Sequence, residues 1–326
     1  MEGAKLIVTH DNNFHMDDVI ACFMLSTIYP KSTIIRTRDQ ATIDRGDYVV
    51  DVGGVYNPAT HRYDHHQREC TETYNSAYTI KLSSAGMVFK HHAREFLAAL
   101  GLQSRAKEHN SLLISRLYHE YFLAVDANDN GVDASDNPKY LERTLDDIVA
   151  SLNPLSYPPG TSFEGQESAR MERFTMAMEI MGADLVRFCE KLHKEIERCY
   201  SILITPFIEA TSNYIVLQKS CRFSTMLQIL NDLYNKQVYI CIYPRASNAG
   251  VIYSILCIPK ANLKYTPEAP LLEAWRGCRE DKLHAYPGLE DALFVHASGF
   301  CGAAKTLSCA ITMVEESIRE YHRAKE

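Results

Sequence analysis

The chain has 326 residues, 46% hydrophobic and 23% charged, with a formal net charge of −7. That length exceeds what one core usually supports, so two domains are expected, and no apolar run reaches the ~18 residues needed to span a bilayer, so no membrane partner is expected. The negative charge argues against a protein that coats nucleic acid non-specifically.

The first strand, "KLIVTH", follows Ala4 closely and leaves no room for a cleavable leader, so cytoplasm or nucleus is expected and the mitochondrion disfavoured. Residues 17–29 read as a helix with acidic residues at its start. "STIIRTR" and "DYVVDVGG" read as the second and third strands, the latter broken by Gly53-Gly54. A strand–helix–strand rhythm implies a mainly parallel sheet flanked by helices, with ligands beyond the carboxyl ends of its strands. Helices are expected over about 83–100, 104–125 and 139–152, with the loop "DANDNGVDASDNP" before the last of them. Within the first, His91-His92 beside Lys90 and Arg94 reads as a solvated face.

After the Pro-rich break "NPLSYPPG", Met171, Phe174, Met178, Met181, Leu185, Phe188, Leu192, Ile196 and Cys199 recur every three or four positions. They form one apolar stripe on a helix of about 35 residues, roughly 50 Å long. The pattern resets after Ile204-Thr205-Pro206. Strands "NYIVLQ", "QVYICIYP", "VIYSILCIP" and "ALFVHAS" follow, then a helix over 303–323. The resulting fold class is α/β in three parts: a catalytic domain over 1–160, a connecting helix over 161–200 and a smaller α/β domain over 201–326. Ten cysteines without CxxC spacing read as reduced core thiols.

Chemistry-bearing residues gather in four loops. His10, His15 and Asp17 lie where the first strand gives way to a helix, and Asp51 ends the third strand. Asp64-His65-His66 follows one loop later, and Asp126 and Asp129 lie in "VDANDNG". Carboxylate and imidazole without thiolate favours Mn²⁺, with Mg²⁺ as the alternative, over structural zinc. One such ion seldom takes so many protein groups. Two divalent ions use them naturally, with Asp51 placed to bridge. Neighbouring imidazoles splay apart on regular structure, so His65 and His66 can share one centre only at a sharp turn.

The segments "THDNNFHMDD", "VVDVGGVYNPATHRYDHHQR", "KLSSAG", "VDANDNG" and "VHASGF" resemble the melanocyte-proliferating-gene (Myg) family of the DHH phosphoesterase superfamily, nearly end to end. The resemblance implies a DHH-type catalytic domain and a two-metal phosphoesterase acting as a 3′→5′ exonuclease on single-stranded RNA. It implies metal ligation by His10, His15, Asp17, Asp51 and His65. Asp64 and His66 would be catalytic, with the His66 imidazole turned from the metals to the scissile phosphate. It leaves open whether Asp126 or Asp129 completes the site, Asp129, just before Asn-Gly, being the better match to the superfamily pattern. Asn12-Asn13 stands where relatives carry Asn-Gly, and Asn is expected to tolerate the left-handed backbone there. The partner expected is single-stranded RNA or a short oligonucleotide, and a homo-oligomer is compatible with the sequence. Competing readings are a phosphoesterase of dinucleotides or pyrophosphate, and a non-catalytic metal-stabilised adaptor.

Arg36, Arg38 and Arg68 flank the metal loops and are expected to neutralise substrate phosphates. "SGFCGAAKT" resembles a phosphate-binding loop, too near the end for a nucleotide-hydrolysing domain. Gly299, Gly302 and Lys305 are expected there to cradle a substrate phosphate at a helix start.

Overall fold

The computed structural model describes residues 4–104, 107–133, 143–248, 250–260 and 266–325. The expected start of a helix near 139 lies outside them. The chain divides into two compact units, Met1–His193 and Lys194–Glu326.

The first unit is built on five short strands: β1 (Leu6–Thr9), β2 (Thr33–Arg36), β3 (Tyr48–Val50), β4 (Tyr56–Asn57) and β5 (Arg62–Tyr63). Their order is β2-β1-β3-β5-β4. All neighbours pair parallel except the β4–β5 edge hairpin. Sequence reading missed that hairpin because two-residue strands carry no periodicity. It matters, since β5 delivers Asp64 beside β3. Neighbouring strands lie about 4.8 Å apart, so the carboxyl ends of β1, β3 and β5 place His10, Asp51 and Asp64 along one sheet edge.

Helix α1 (Met16–Ile28) is buried on most of its circumference, as its continuous apolar run requires, and packs against α3 (Ser84–Ala99). Between them in sequence comes the short α2 (Gln40–Arg45). His92, expected on a solvated face, is buried, with its Nε2 hydrogen-bonded to the Tyr63 hydroxyl at 2.7 Å. Helix α4 (Lys107–Leu117) runs through a π turn (Tyr118–Phe122) into α5 (Leu123–Asp129), so helical backbone extends past the expected end at 125. Then comes α6 (Leu145–Ala150).

Helix α7 (Phe163–Glu209) is longer than its pattern suggested and continues through Pro206. A proline interrupts only the bond to the carbonyl four residues back, and Leu203 and Phe207, on the stripe's continuation, stay buried. Within the first unit α7 meets α1 closely. A Cβ at Gly182 would lie 2.2 Å from the Phe23 ring, so only glycine permits the approach.

The second unit holds β6 (Tyr214–Val216), α8 (Ser224–Tyr234), β7 (Ile240–Ser247), β8 (Gly250–Cys257), α9 (Glu280–Leu283), β9 (Ala292–Val295), β10 (Cys301–Ala304) and α10 (Leu307–Arg323). Strand order is β6-β7-β8-β10-β9, with only β6–β7 parallel. The apolar face of α10 (Ala310, Met313, Val314) closes a core with Ile240, Ile242, Ile255, Leu271 and Trp275.

Candidate metal centre

The site begins with the backbone. His15 caps α1, its own N–H held by Asp18 Oδ1 at 2.8 Å, which fixes Asp17 and Asp18 in the first turn. Acidic residues there also suit the helix dipole. Asp51 leaves β3 in the left-handed region, with φ 56°, an uncommon conformation for a residue with a Cβ. That backbone turn accompanies a carboxylate aimed back across the strand ends.

Asp51 faces two histidine groups. Its Oδ2 lies 3.2 Å from His10 Nε2, and its Oδ1 lies 3.4 Å from His65 Nε2 and 3.5 Å from His66 Nδ1. His65 Nε2 also faces Asp129 Oδ2 at 3.1 Å and Asp17 Oδ2 at 3.9 Å. Among the described residues three sets able to hold a metal result: His10/His15/Asp51, Asp51/His65/His66 and Asp17/His65/Asp129, each with ligand atoms within 4.8 Å of one another. Asp51 belongs to two and His65 to two.

These groups fit divalent cations for reasons internal to the site. The His10 Nδ1 lies 2.7 Å from the Asp11 carbonyl, which can only accept, so the ring proton sits there. That turns the Nε2 lone pair toward Asp51 Oδ2 and Asp18 Oδ2, with no donor between them. A second proton or a cation must settle this encounter. Burial alone would lower the His10 pKa, but the Asp51 and Asp18 carboxylates outweigh it and raise it to about 9. Burial, reinforced by neighbouring carboxylates, pushes Asp17 well above the ordinary range. Burial also raises Asp18, to about 6, and Asp129. Burial would raise Asp51 too, yet the facing His10 and His65 hold it well below the usual carboxylate range. Asp17 Oδ1, Asp18 Oδ2, Asp129 Oδ2 and His65 Nε2 are buried without hydrogen bonds, as atoms awaiting a cation would be.

His65 and His66 are adjacent but differ. His65 is buried among carboxylates, whereas the His66 side chain is 65% exposed. Asp64 explains the difference. It is buried, accepts from Gly54 N–H at 2.6 Å and His66 N–H at 3.0 Å, and meets His66 Nδ1 at 2.8 Å. Its hydrogen bond raises the His66 pKa against the lowering effect of burial, and leaves Nε2 free to meet another molecule.

The structure does not bring every expected residue to the centre. Asp126 is set apart: its carboxylate accepts from Ser83 N–H (2.9 Å), Ser83 Oγ (2.7 Å) and the Tyr118 hydroxyl (2.8 Å). With its oxygens so engaged, Asp126 is a scaffold and Asp129 stands at the site. Arg36, expected at substrate, has only 3% of its side chain exposed and faces Glu167. Arg38 and Arg68 are exposed, Arg38 with Nε 3.2 Å from Asp11 Oδ1. The left-handed residue of the first loop is Asn12 (φ 67°), not Asn13.

The expected phosphate cradle is corrected in the same way. Residues 301–304 form an interior strand, so the Gly302 backbone belongs to the ladder, and α10 starts only at Leu307. Gly299 N–H donates to His296 O and Lys305 N–H to Asp291 O, both at 2.8 Å. Gly302 answers a packing need instead: a Cβ there would lie 2.9 Å from Leu271 and from the Phe294 carbonyl.

Three functional residues escaped the sequence reading. Asp18 points an unpaired oxygen at His10, 3.4 Å away. Ser84 orients two ligands, its N–H on Asp17 Oδ2 (3.3 Å) and its hydroxyl on Asp51 Oδ1 (3.2 Å). Ser83 caps α3. The doubled aspartate of "MDD" and the paired serines before an apolar helix were the available signals.

Fold and site define the class: a two-unit α/β protein with a histidine–aspartate centre at parallel strand ends, fitted to divalent cations. The family model for MYG1 exonucleases, described as an uncharacterised protein family (UPF0160), matches residues 6–318. The MYG1 exonucleases of Mus musculus and Homo sapiens are each 32% identical over 329 residues, covering 96% of this chain and 85% and 86% of their own. The MYG1 protein of Schizosaccharomyces pombe is 29% identical over 330 residues, 98% of each chain. This chain belongs to the MYG1 exonuclease family, as its motifs led one to expect. Among solved structures, a pGpG-specific phosphodiesterase, PggH, from Vibrio cholerae covers 98% of this chain and 99% of its own, at 13% identity and TM-score 0.27. An exopolyphosphatase-related protein from Bacteroides fragilis covers 99% and 94%, at 10% identity and TM-score 0.23. Likenesses this slight carry no argument.

Proposed function

We propose that this chain is a metal-dependent phosphodiesterase, a 3′→5′ exonuclease that shortens single-stranded RNA by one nucleotide at a time. The observation that carries the reading is the Asp51 carboxylate, whose two oxygens face separate histidine groups. Two divalent cations fit that arrangement, and the absence of thiolate among their ligands favours Mn²⁺ over zinc, with Mg²⁺ next. When bound, they would supply charge neutralisation for the phosphate oxygens and a water of lowered pKa.

The chain's own residues do the rest. His10, His15 and Asp51 would hold one cation, and Asp17, His65 and Asp129, with Asp51, would hold the other. Ser84 keeps the Asp17 and Asp51 carboxylates in register. Asp64 is a positioning residue: by fixing His66 Nδ1 it directs Nε2 outward, where the ring can donate to a phosphate oxygen or protonate the leaving oxygen. Arg38 and Arg68 are the exposed cations available to the neighbouring phosphates of a strand. Exonuclease action is supported by the relatives, which are named MYG1 exonucleases, while RNA and the 3′→5′ direction are what the motif resemblance implies.

The test is purified protein with Mn²⁺, given 5′-labelled RNA, single-stranded DNA, a dinucleotide and pyrophosphate side by side. A descending ladder from the RNA is expected. Hydrolysis confined to the dinucleotide or pyrophosphate would overturn the exonuclease reading and leave a small-molecule phosphoesterase.

A further inference from the structure

The loop supplying His10 and His15 has no regular structure of its own, so other parts of the chain must set its shape. Asn12 lies between the two histidines. Its N–H points at the Glu167 carboxylate, 3.3 Å from each oxygen, and its carbonyl accepts from Arg36 Nη2 at 2.5 Å. Arg36 Nη1 lies 3.6 Å from Glu167, and Arg170 pairs with the same carboxylate. The Arg36 guanidinium is also flanked by two rings, 5.5 Å from the Phe14 centroid and 5.1 Å from that of Phe174. Two residues on from Asn12, Phe14 is held just as fully. The Asn153 amide accepts from its N–H at 3.0 Å and donates to its carbonyl at 2.9 Å.

All four backbone groups of Asn12 and Phe14 are therefore engaged by side chains from β2, α7 and the segment after α6. A loop on a surface could satisfy those groups with water. Burying a guanidinium to do it is a poor route to stability, because desolvation offsets much of the Coulomb gain. What such a network provides is a fixed geometry, and the atoms it fixes are the His10 and His15 rings, 5.5 Å apart.

We propose that Glu167, acting through Arg36 and Asn12 and alongside Asn153, is a positioning residue that sets the cation affinity of the His10/His15 subsite without touching metal or substrate. The proposal rests on the reading that this pair holds a cation. Outer partners of metal ligands commonly govern affinity by 10–100-fold.

The experiment is calorimetric titration of Mn²⁺ into the full chain, as wild type, Glu167→Ala, Glu167→Gln and Asn153→Ala, with thermal melts of the chelator-treated proteins. Glu167→Ala should weaken one of two binding events by about 10–100-fold and leave the other within about threefold. Glu167→Gln, which keeps one acceptor for the Asn12 N–H, should recover part of that loss. Chelated Glu167→Ala should melt earlier than wild type, because the buried Arg36 guanidinium loses its facing carboxylate, so the clamp is read from the split between the two binding events and not from the melt. Should Glu167→Ala not fold, the same split between events is read in Glu167→Gln and Asn153→Ala. Unchanged affinities with an earlier melt would overturn the proposal and make the network a stabilising contact only. A wild type that takes up no Mn²⁺ would overturn the metal reading itself, whereas two normal events in every variant would sink only the clamp.

Discussion

Each unit is organised around a five-stranded sheet, yet among the described residues every histidine–carboxylate group able to hold a metal lies in the first. Strand direction accounts for much of the difference. In the first sheet β1, β3 and β5 are parallel neighbours, so three consecutive strands end on one edge and their loops meet. In the second, β7, β8, β10 and β9 alternate, so consecutive strand ends fall on opposite edges and the connecting turns are taken up by ladder and turn bonds. A row of parallel ends assembles a centre from short, distant segments. An antiparallel array tends to disperse the same segments.

The sharpest way to break that contrast is Asp51→Asn. An amide cannot serve two cations as a carboxylate does, so phosphodiesterase turnover should fall about 1000-fold, beyond the 10–100-fold usual for outer partners. Circular dichroism should show the fold retained. His66→Ala should lower kcat by about 100-fold, the lower range for a positioned proton donor, with Mn²⁺ affinity within a few-fold of wild type. His65→Ala should lose a binding event, and the opposite ordering would reverse their assigned roles.

Asp126 separates scaffold from ligand. Asp126→Ala leaves two hydroxyls and one buried N–H without their acceptor, so chemical denaturation should show a loss of about 3 kcal/mol. Both Mn²⁺ events should persist in the folded fraction. Lys305→Ala tests the other unit. The Gly299 and Lys305 N–H groups there are already bonded to carbonyls, so kcat/KM on an oligonucleotide should change by less than about threefold, roughly 0.6 kcal/mol. A tenfold loss with normal kcat would restore the turn as a phosphate site.

The smallest effect is a pH slope. Burial lowers the His92 pKa from 6.5 to about 4. Its folded pKa lies below the unfolded one, so the unfolded chain takes up the proton first. The stability linked to this ring is complete above about pH 6.5 and is lost as pH falls toward 4. Denaturant midpoints of chelated protein should decline more steeply across that window for wild type than for His92→Gln.

The ligand loops were legible because their residue types are chemically conspicuous and sit at the ends of β-branched runs. Asp129 was favoured over Asp126 only by its place before Asn-Gly, since both lie on one helical turn and the position of Ser83 and Tyr118 is what tells them apart. Arg36 looked like any arginine near a metal loop, and nothing local in "RTRD" shows that Phe174 and Glu167 will enclose it. "SGFCGAAKT" misled because a strand of small residues (Gly302, Ala303, Ala304) is locally indistinguishable from a glycine-bearing loop. Its pairing with β8 and β9 is a tertiary fact. The length of α7 was underestimated for a similar reason: Pro206 reads as a stop, but buried Leu203 and Phe207 carry the helix past it.

The central claim is that one carboxylate, Asp51, joins two cation subsites. Electron paramagnetic resonance of the full chain loaded with two equivalents of Mn²⁺ tests it most directly. Cations sharing a carboxylate lie about 3.5–4 Å apart, so the account predicts an exchange-coupled spectrum in wild type that collapses to isolated ions in Asp51→Asn. An uncoupled six-line spectrum from wild type at that loading would contradict it.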